Sequence, residues 1–407
     1  MLTKRTDSAF WRDNVDPASI PERLQKLLRL WKYQSPGFLD EFDRLDEVFP
    51  AASYQYILYG MGFRTEVEPF NTVAAQALAS RFLGEAEVLT QRIEPCRPVV
   101  LRGLVADWPV VEAGARSPMA FRDHVSRFDT GAPMEAFVGA PQIAGKYYYS
   151  ADLAGFNFER PRMSLSQALD AMVGSLGQDG APSLYLGSVP TDDRLPGFSS
   201  QNPMPLLGQT TGQRIWLGHA SNVSSHYDTL DNLACVVAGT RRFTLYPPEL
   251  IGELYVGPID NTMAGQPVSL AASSPPDDAR FPRFAGVRDQ ALITELHAGD
   301  ALYLPKLWWH QVEATAPFNG SVNYWWDAFA AGPDSPYTSL LLSMIAVSER
   351  PLEERRAWKA LFEHYVFREN GHPVSHLPPE RRGLLGPLAP ANYGRIRARV
   401  MQLLRGN

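Results

Sequence analysis

The spacing of hydrophobic positions changes twice along the chain. In residues 1–85 the spacing follows the helical repeat, as in IPERLQKLLRLWK and NTVAAQALASRFLGEAEVL. In residues 86–332 short runs rich in β-branched and aromatic residues are separated by Gly and Pro, as in PVVLRG, SLYLGS, NLACVVAG, RRFTLYPP and DALYLP. Short strands with turn signals between them predict an antiparallel sandwich or barrel.

The helical spacing returns in residues 333–407. There SLLLSMIAVSERPLEERRAWKALFEHYVF predicts one or two helices, and YGRIRARVMQLLR predicts another. A further helix, SLSQALDAMVGSLG, is inserted among the strands. The expected fold class is therefore α+β, with a β-rich core between an N-terminal and a C-terminal helical region.

The composition excludes some classes of protein. The 407 residues carry 38 Lys and Arg against 44 Asp and Glu, and the net charge of −6 offers no footprint for nucleic acid. Two cysteines, Cys96 and Cys235, are too few for a disulfide framework and fit a reducing compartment. The longest apolar run, LLLSMIAV, is far shorter than the roughly 20 residues that span a bilayer. We expect a cytoplasmic protein without a membrane partner.

Candidate chemistry lies first in the segment SSHYDTLDN. His226 and Asp228 are two residues apart in a strand-like segment, so their side chains would face the same side. An imidazole and a carboxylate placed side by side suit a metal ion, a general base with its orienting partner, or a structural hydrogen bond.

His310 is the best third member of this group among the eight histidines. It follows GDALYLPKLWW, in which a turn, a short strand and a proline allow an irregular approach. A double-stranded β-helix, a form of jelly roll, brings such distant strands together at one open end. His226, Asp228 and His310 would then form the 2-His-1-carboxylate triad typical of non-haem Fe(II) oxygenases, which leaves coordination positions open.

Three segments carry a family resemblance over roughly residues 90–330. The stretch SNVSSHYDTLDNLACVVAGTRRFTLYPP resembles the metal-binding strand pair of cupin-like JmjC oxygenases. Their second half is similar to LYLPKLWWHQVEA with GSVNYWWD, and the start of their domain to RPVVLRGLVADWPV. Within that family the chain most resembles the factor-inhibiting asparaginyl hydroxylase group. The resemblance implies Fe(II) as the metal, 2-oxoglutarate as the co-substrate and molecular oxygen as the oxidant.

The same resemblance implies a site for 2-oxoglutarate. Family members hold its distal carboxylate with a basic residue fifteen positions after the first metal ligand, which is Arg241 here. Strand alternation supports Arg241, because it shares its side with Phe243 and Leu245, and an inward arginine needs an anionic partner. A guanidinium that grips a carboxylate in two places meets that need. A structural salt bridge to Asp or Glu is the alternative.

Four other residues match family positions around 2-oxoglutarate. Tyr185 matches a hydroxyl donor to the distal carboxylate, and Ser224 matches a threonine with the same role. Asn232 and Asn323 match side chains near the metal and the carboxylates. The alternatives are a tyrosine that only packs in the core and asparagines that only end strands. Trp216 stands where the family often has a smaller apolar residue, so we expect the shape of the pocket to differ.

Residues 1–66 carry a second resemblance. The stretches FWRDNVDPASIPERLQKLLRLWK and FPAASYQYILYGMGFRTE are similar to the helical C-terminal part of flavin-dependent tryptophan halogenases. The catalytic parts of that family are missing, because GMGFRT lacks the third glycine of a GxGxxG motif. We expect a helical module for packing or docking, without halogenase activity.

Together these features predict an Fe(II)- and 2-oxoglutarate-dependent dioxygenase. It would hydroxylate a C–H bond on a protein or peptide side chain or on an amino-acid-derived small molecule; the same chemistry on an N-methyl carbon would be demethylation. Two alternatives are a metal-binding cupin without oxygenase activity and a JmjC hydroxylase that modifies tRNA, which the net charge disfavours. The apolar stripes in SLLLSMIAV and AWKALFEHYVF predict a homodimer.

Overall fold

A computed structural model of the protein describes residues 96–406, apart from 205, 208–210, 261, 264, 276–277 and 329–333. The predicted N-terminal helical region, residues 1–85, lies outside the described residues. The chain divides into two compact units, and the division falls between Trp326 and Asp327. The sequence pattern predicts this boundary a few residues later, between the ranges 86–332 and 333–407.

The first unit contains thirteen strands within the described residues. They are β1 (Val99–Leu101), β2 (Met134–Glu135), β3 (Phe137–Gly139), β4 (Lys146–Tyr147), β5 (Phe158–Glu159), β6 (Arg162–Met163), β7 (Ser183–Pro190), β8 (Gln213–His226), β9 (Asp231–Ala238), β10 (Thr240–Tyr246), β11 (Leu292–His297), β12 (Ala301–Leu304) and β13 (Trp309–Trp326). The predicted strands in PVVLRG, SLYLGS, NLACVVAG, RRFTLYPP and DALYLP are all present, and most of GSVNYWWD forms the last part of β13.

Strands β8 and β13 are the longest and determine the topology. They pair antiparallel, starting from His226 opposite His310. The first part of β13 also pairs with β10, which pairs in turn with β11. After a register shift between Ala314 and Phe318, its last part pairs with β9, followed by β12 and β1. The first part of β13 thus has β10 and β11 as neighbours and its last part has β9, β12 and β1, as expected for a jelly roll. The predicted α+β double-stranded β-helix is confirmed.

Helices cover this sheet and complete its core. They are α1 (Pro109–Arg116), α2 (Pro118–Ser126), α3 (Leu165–Gly174), and the short α4 (Thr191–Arg194) and α5 (Phe198–Gln201). The predicted inserted helix is α3, and a capping box fixes its start: Ser164 Oγ accepts from Gln167 N–H while Gln167 Oε1 accepts from Ser164 N–H. All eight residues of β9 are buried, which explains the unbroken apolar run in NLACVVAG.

The second unit is helical, as its sequence predicts. It contains α6 (Pro336–Val347), α7 (Leu352–Phe362) and α8 (Pro390–Leu404), and Pro351 separates the first two. None of the residues in these three helices is buried. Among the described residues, no helix is both long and apolar enough to cross a membrane.

Candidate metal centre

The ends of two paired strands bring the three predicted metal ligands together. His226 is the last residue of β8, His310 is the second residue of β13, and the two lie opposite each other in the antiparallel register. Asp228 follows β8, and its backbone carbonyl accepts a hydrogen bond from Leu307 N–H at 2.8 Å. One side-chain donor atom from each of the three ligands lies within 4.8 Å of the other two. The arrangement can therefore hold one metal ion.

Both histidines present the same ring nitrogen to the site. The Nδ1–H of His226 donates to the Ser224 carbonyl at 2.9 Å, and that of His310 donates to the Trp308 carbonyl at 3.0 Å. These bonds select the tautomer in which Nε2 carries a free lone pair, the state that binds metals. Nε2 of His310 lies 3.8 Å from Asp228 Oδ2.

Burial favours the neutral form of His310, which is 3% exposed. Desolvation, together with the neighbouring His226, lowers the pKa of His310 to about 4, although Asp228 acts in the opposite direction. A neutral imidazole keeps the lone pair that a metal needs. Two imidazole nitrogens and one carboxylate form the donor set of non-haem Fe(II) oxygenases, so the residues fit that metal.

The three donors open into a cavity of about 350 Å³. Aromatic side chains form much of its wall, namely Phe137, Tyr147, Tyr185, Trp216 and Trp325. Another part of the wall comes from the segment between β10 and β11, through Met263, Gln266 and Val268. A concave, mainly apolar space with a few convergent polar groups is typical of a small-molecule site.

Arg241 lines this cavity and is only 5% exposed. Phe243 and Leu245 are buried on the same side of β10, as strand alternation predicts. Among the described residues no acidic group contributes to the electrostatics of Arg241, its buried Nε has no hydrogen-bond partner, and its hydrogen-bonding neighbour is the Tyr185 hydroxyl. The alternative of a structural salt bridge is therefore not observed. A buried guanidinium without an anion is costly, so the cavity suits a ligand carboxylate.

Burial also determines the ionisation of the Tyr185–Arg241 pair. Desolvation raises the pKa of the Tyr185 phenol to about 12, while Arg241 acts in the opposite direction. Desolvation lowers the pKa of Arg241, which stays cationic at physiological pH because guanidinium is so weak an acid. At neutral pH the pair consists of a protonated hydroxyl and a cation, and both can donate hydrogen bonds to a carboxylate.

Asn232 and Asn323 lie on the cavity wall and bridge two strands. Both are largely buried, and Asn323 Nδ2 donates to Asn232 Oδ1 at 2.9 Å. The bond joins β9 to β13 and fixes the orientation of both amides. Polar groups held in this way can meet a ligand without reorganising.

Comparison with known proteins assigns the domain that carries this site. Residues 85–332, more than half of the chain, match the cupin-like domain family. The chain belongs to the cupin-like domain family. Residues 1–76 match the tryptophan halogenase family, which agrees with the resemblance found in the N-terminal sequence.

The cupin-like protein is similar to several JmjC proteins. It is 28% identical to the bifunctional peptidase and (3S)-lysyl hydroxylase JMJD7 of Homo sapiens, over 57% of this chain and 78% of the relative. It is 37% identical to the Jumonji C domain-containing protein 5 of Drosophila melanogaster, over 28% of this chain and 27% of the relative. It is 33% identical to the lysine-specific demethylase JMJ31 of Arabidopsis thaliana, over 28% of this chain and 20% of the relative.

These matches support the JmjC resemblance of the cupin-like domain. The chain spans most of the human hydroxylase but about a quarter of the fly protein and a fifth of the plant protein. The more specific resemblance to the asparaginyl hydroxylase group stays a prediction.

Ser224 is the one predicted 2-oxoglutarate contact that the structure does not bring to the cavity wall. A β-bulge lies near the end of β8, because His310 pairs with His226 whereas Val312 pairs with Val223. The bulge places Val223 on the cavity wall together with His226. Ser224 is fully buried elsewhere, and its Oγ accepts a hydrogen bond from Ser273 Oγ at 3.3 Å. The structure therefore does not place Ser224 at the cavity, and a contact between Ser224 and 2-oxoglutarate stays a prediction.

Two features of the cavity were not predicted from the sequence. Trp325 donates its Nε1–H to Asp228 Oδ2 at 3.2 Å. Gly187 leaves room for Trp216, since a Cβ at position 187 would lie 3.0 Å from the Trp216 ring and 3.2 Å from the Tyr185 ring. Trp325 could have been found by alternation, because it lies two residues beyond Asn323 on the same side of β13. The fit between Gly187 and Trp216 joins two strands and has no local signal.

Proposed function

We propose that this cupin-like protein is an Fe(II)- and 2-oxoglutarate-dependent dioxygenase that hydroxylates a C–H bond. One observation carries the proposal: the triad of His226, Asp228 and His310 shares a cavity with Arg241, a buried cation that has no acidic partner among the described residues. A metal-binding cupin without oxygenase activity would have no use for that cation. The relationship to a human lysyl hydroxylase supports the same reaction class.

The residues have separate tasks in the proposed reaction. His226, Asp228 and His310 would hold Fe(II), which with 2-oxoglutarate and O₂ supplies the oxidising power for an unactivated C–H bond. Arg241 and the Tyr185 hydroxyl would bind the distal carboxylate of 2-oxoglutarate by charge-assisted hydrogen bonds. Binding at a fixed distance from the metal ligands would orient the co-substrate.

The cavity walls exclude water and give the site its shape. Tyr147, Trp216 and Trp325 replace solvent with aromatic surface around the donors. Asn232 and Asn323 add two amides whose orientation their mutual bond fixes. These residues would hold a substrate carbon close to the metal while bulk water is kept away.

A protein or peptide side chain, or an amino-acid-derived small molecule, is the proposed substrate class. The relatives named above include a lysyl hydroxylase and a lysine-specific demethylase, and both names refer to an amino-acid side chain. Demethylation would require only that the oxidised carbon is an N-methyl group. Modification of tRNA is the weaker alternative, because the chain has a net charge of −6.

Turnover of 2-oxoglutarate tests the proposal. The purified protein with Fe(II) and O₂ should form succinate slowly by itself, and faster when a peptide or amino-acid pool contains the substrate. Asp228→Ala should abolish both rates, because it removes the only anionic donor of the triad. A wild-type protein that forms no succinate with any pool, while it retains zinc tightly, would support the non-oxygenase alternative.

We also propose that two copies of the chain associate through the C-terminal helical unit. Helix α6 has no buried residue and exposes large apolar side chains, among them Leu340, Leu341 and Ile345, the last of which is 84% exposed. Large apolar side chains exposed together on one helix suit a surface that binds another protein. A second copy is the proposed partner, because twofold dimers are the commonest solution.

A further inference from the structure

A hydrogen bond reaches the carboxylate of Asp228 from outside the triad. Trp325 lies near the end of β13, and its Nε1–H donates to Asp228 Oδ2 at 3.2 Å. The same oxygen lies 3.8 Å from Nε2 of His310. We infer that Trp325 is a positioning residue, whose indole N–H turns this oxygen of Asp228 toward the two histidines. The inference rests on the proposed function, because it presupposes that the triad binds a metal.

Among the described residues, Trp325 is the side chain that donates a hydrogen bond to the Asp228 carboxylate, and the other hydrogen bond of Asp228 is made by its backbone. Leu307 N–H holds the Asp228 carbonyl at 2.8 Å. Its side chain is 22% exposed, so water competes for the carboxylate and the side-chain torsions remain open. An indole donor occupies one lone pair of the oxygen and leaves another for a metal. Outer partners of this kind commonly tune the affinity of metal sites.

Trp325 is itself held from two sides. Its ring meets that of Trp216 edge-on, with 5.7 Å between the centroids. The guanidinium of Arg214 lies over the Trp325 ring, 5.9 Å from its centroid. The Nη1 of Arg214 donates to both the carbonyl and the hydroxyl oxygen of Ser188 at 3.0 Å each. A donor whose ring cannot turn freely keeps its N–H aimed at Asp228, which is what positioning requires.

The next residue in the chain provides a matched comparison. Trp326 points to the opposite side of β13 by strand alternation and packs near Tyr303, with 6.0 Å between the ring centroids. It is not among the residues that line the cavity. Trp325→Phe and Trp326→Phe therefore remove the same atoms from adjacent positions, but only the first removes the bond to Asp228.

Binding of Mn(II), measured by calorimetry on the full-length protein without co-substrate, tests the inference. Trp325→Phe should weaken Mn(II) binding roughly 10- to 100-fold, the usual effect of losing an outer partner of a metal ligand. Trp326→Phe should bind Mn(II) as the wild type does. Equal affinities of Trp325→Phe and the wild type would overturn the inference. Equal weakening by both substitutions would overturn it as well, since the cause would then be packing.

Two further results separate the possible failures. If the wild type does not bind Mn(II), the proposed metal centre fails rather than the role of Trp325. If Trp325→Phe does not fold, Arg214→Gln can test the role of Trp325 in its place. This substitution keeps the indole of Trp325 and removes the cation over its ring. We expect Arg214→Gln to weaken Mn(II) binding about two- to fivefold, the equivalent of a cation–π contact of ~0.5–1 kcal/mol. An unchanged affinity in that variant would overturn the inference.

Discussion

Arg241 and Arg242 are adjacent on β10 and have opposite environments. Arg241 is 5% exposed and lines the cavity, whereas Arg242 forms an exposed ion pair with Glu313 at 2.7 Å on the outer side. The strand alternation that separates them provides an internal control for co-substrate binding.

Arg241→Ala should raise the concentration of 2-oxoglutarate needed for half-maximal turnover by a large factor. Loss of one partner from a buried charged pair costs on the order of 2–5 kcal/mol. Arg242→Ala should leave that concentration unchanged, because an exposed ion pair contributes little. The measurement is succinate formation against 2-oxoglutarate concentration. Similar effects of the two substitutions would contradict the assignment of Arg241.

The metal ligands can be tested by absorption. Anaerobic addition of Fe(II) and 2-oxoglutarate should give a weak charge-transfer band in the visible range. His226→Ala and Asp228→Ala should each abolish the band, because each removes a donor of the triad. His219→Ala is the control: that ring is held by Leu184 N–H and lies outside the cavity. A band that survives in Asp228→Ala would mean that the metal binds elsewhere.

Ionisation of Tyr185 should make stability depend on pH in the alkaline range. Its phenol has a pKa of about 12 in the folded protein, whereas an unfolded tyrosine ionises near pH 10. The folded state therefore holds the proton more tightly. The free energy of unfolding should fall between about pH 10 and 12, by at most ~1.4 kcal/mol for each pH unit from this group.

Urea unfolding at several pH values measures this slope. Tyr185→Phe should make the slope shallower, because it removes the buried phenol that ionises only above pH 10 in the folded protein. An identical slope in Tyr185→Phe and the wild type would show that Tyr185 is not the group that titrates.

Gly187→Ala should disturb the cavity without touching the metal ligands. The added Cβ would lie 3.0 Å from the Trp216 ring and 3.2 Å from the Tyr185 ring, so both rings must move. Overpacking of this kind costs about 1–3 kcal/mol of stability, and displacement of Tyr185 should weaken 2-oxoglutarate binding. Gly174→Ala, which meets no atom within 4 Å, is the control. An unchanged requirement for 2-oxoglutarate would show that the two rings can shift without loss.

The mass in solution tests the proposed dimer. Light scattering at micromolar concentration should give twice the mass of one chain, and deletion of residues 336–407 should give monomers. Ile345→Glu should also favour monomers, because it places a charge in the apolar surface of α6. Arg356→Gln, on an exposed and polar part of α7, should have no effect. A dimer that persists after the deletion would place the contact elsewhere in the chain.

Much of the fold follows from local sequence patterns. The strand runs, the helix at SLSQALDAMVGSLG and the inward side of Arg241 all depend on residues close together in the chain, where alternation and capping act. The triad could be predicted because a double-stranded β-helix places His226 and His310 at neighbouring strand ends. These parts of the structure agree with the prediction.

The sequence could not indicate features that depend on contacts across strands. The bulge that exchanges Val223 for Ser224 on the cavity wall is a register shift between β8 and β13, and no residue type in SNVSSH demands it. The bond from Trp325 to Asp228 likewise joins residues 97 positions apart. Alternation gives the side on which Trp325 lies but not the group that it meets.

The wall formed between β10 and β11 has a different construction from the rest of the cavity. The described residues of this segment form short 3₁₀ turns and isolated bridges, such as the one between Val268 and His226. The three predicted metal ligands, by contrast, lie on β8, on β13 or in the turn that follows β8. Loops accept insertions and exchanges that paired strands do not. Exchanges at Met263 and Gln266 are therefore expected to reshape this wall while β8, β13 and the three predicted metal ligands keep their places.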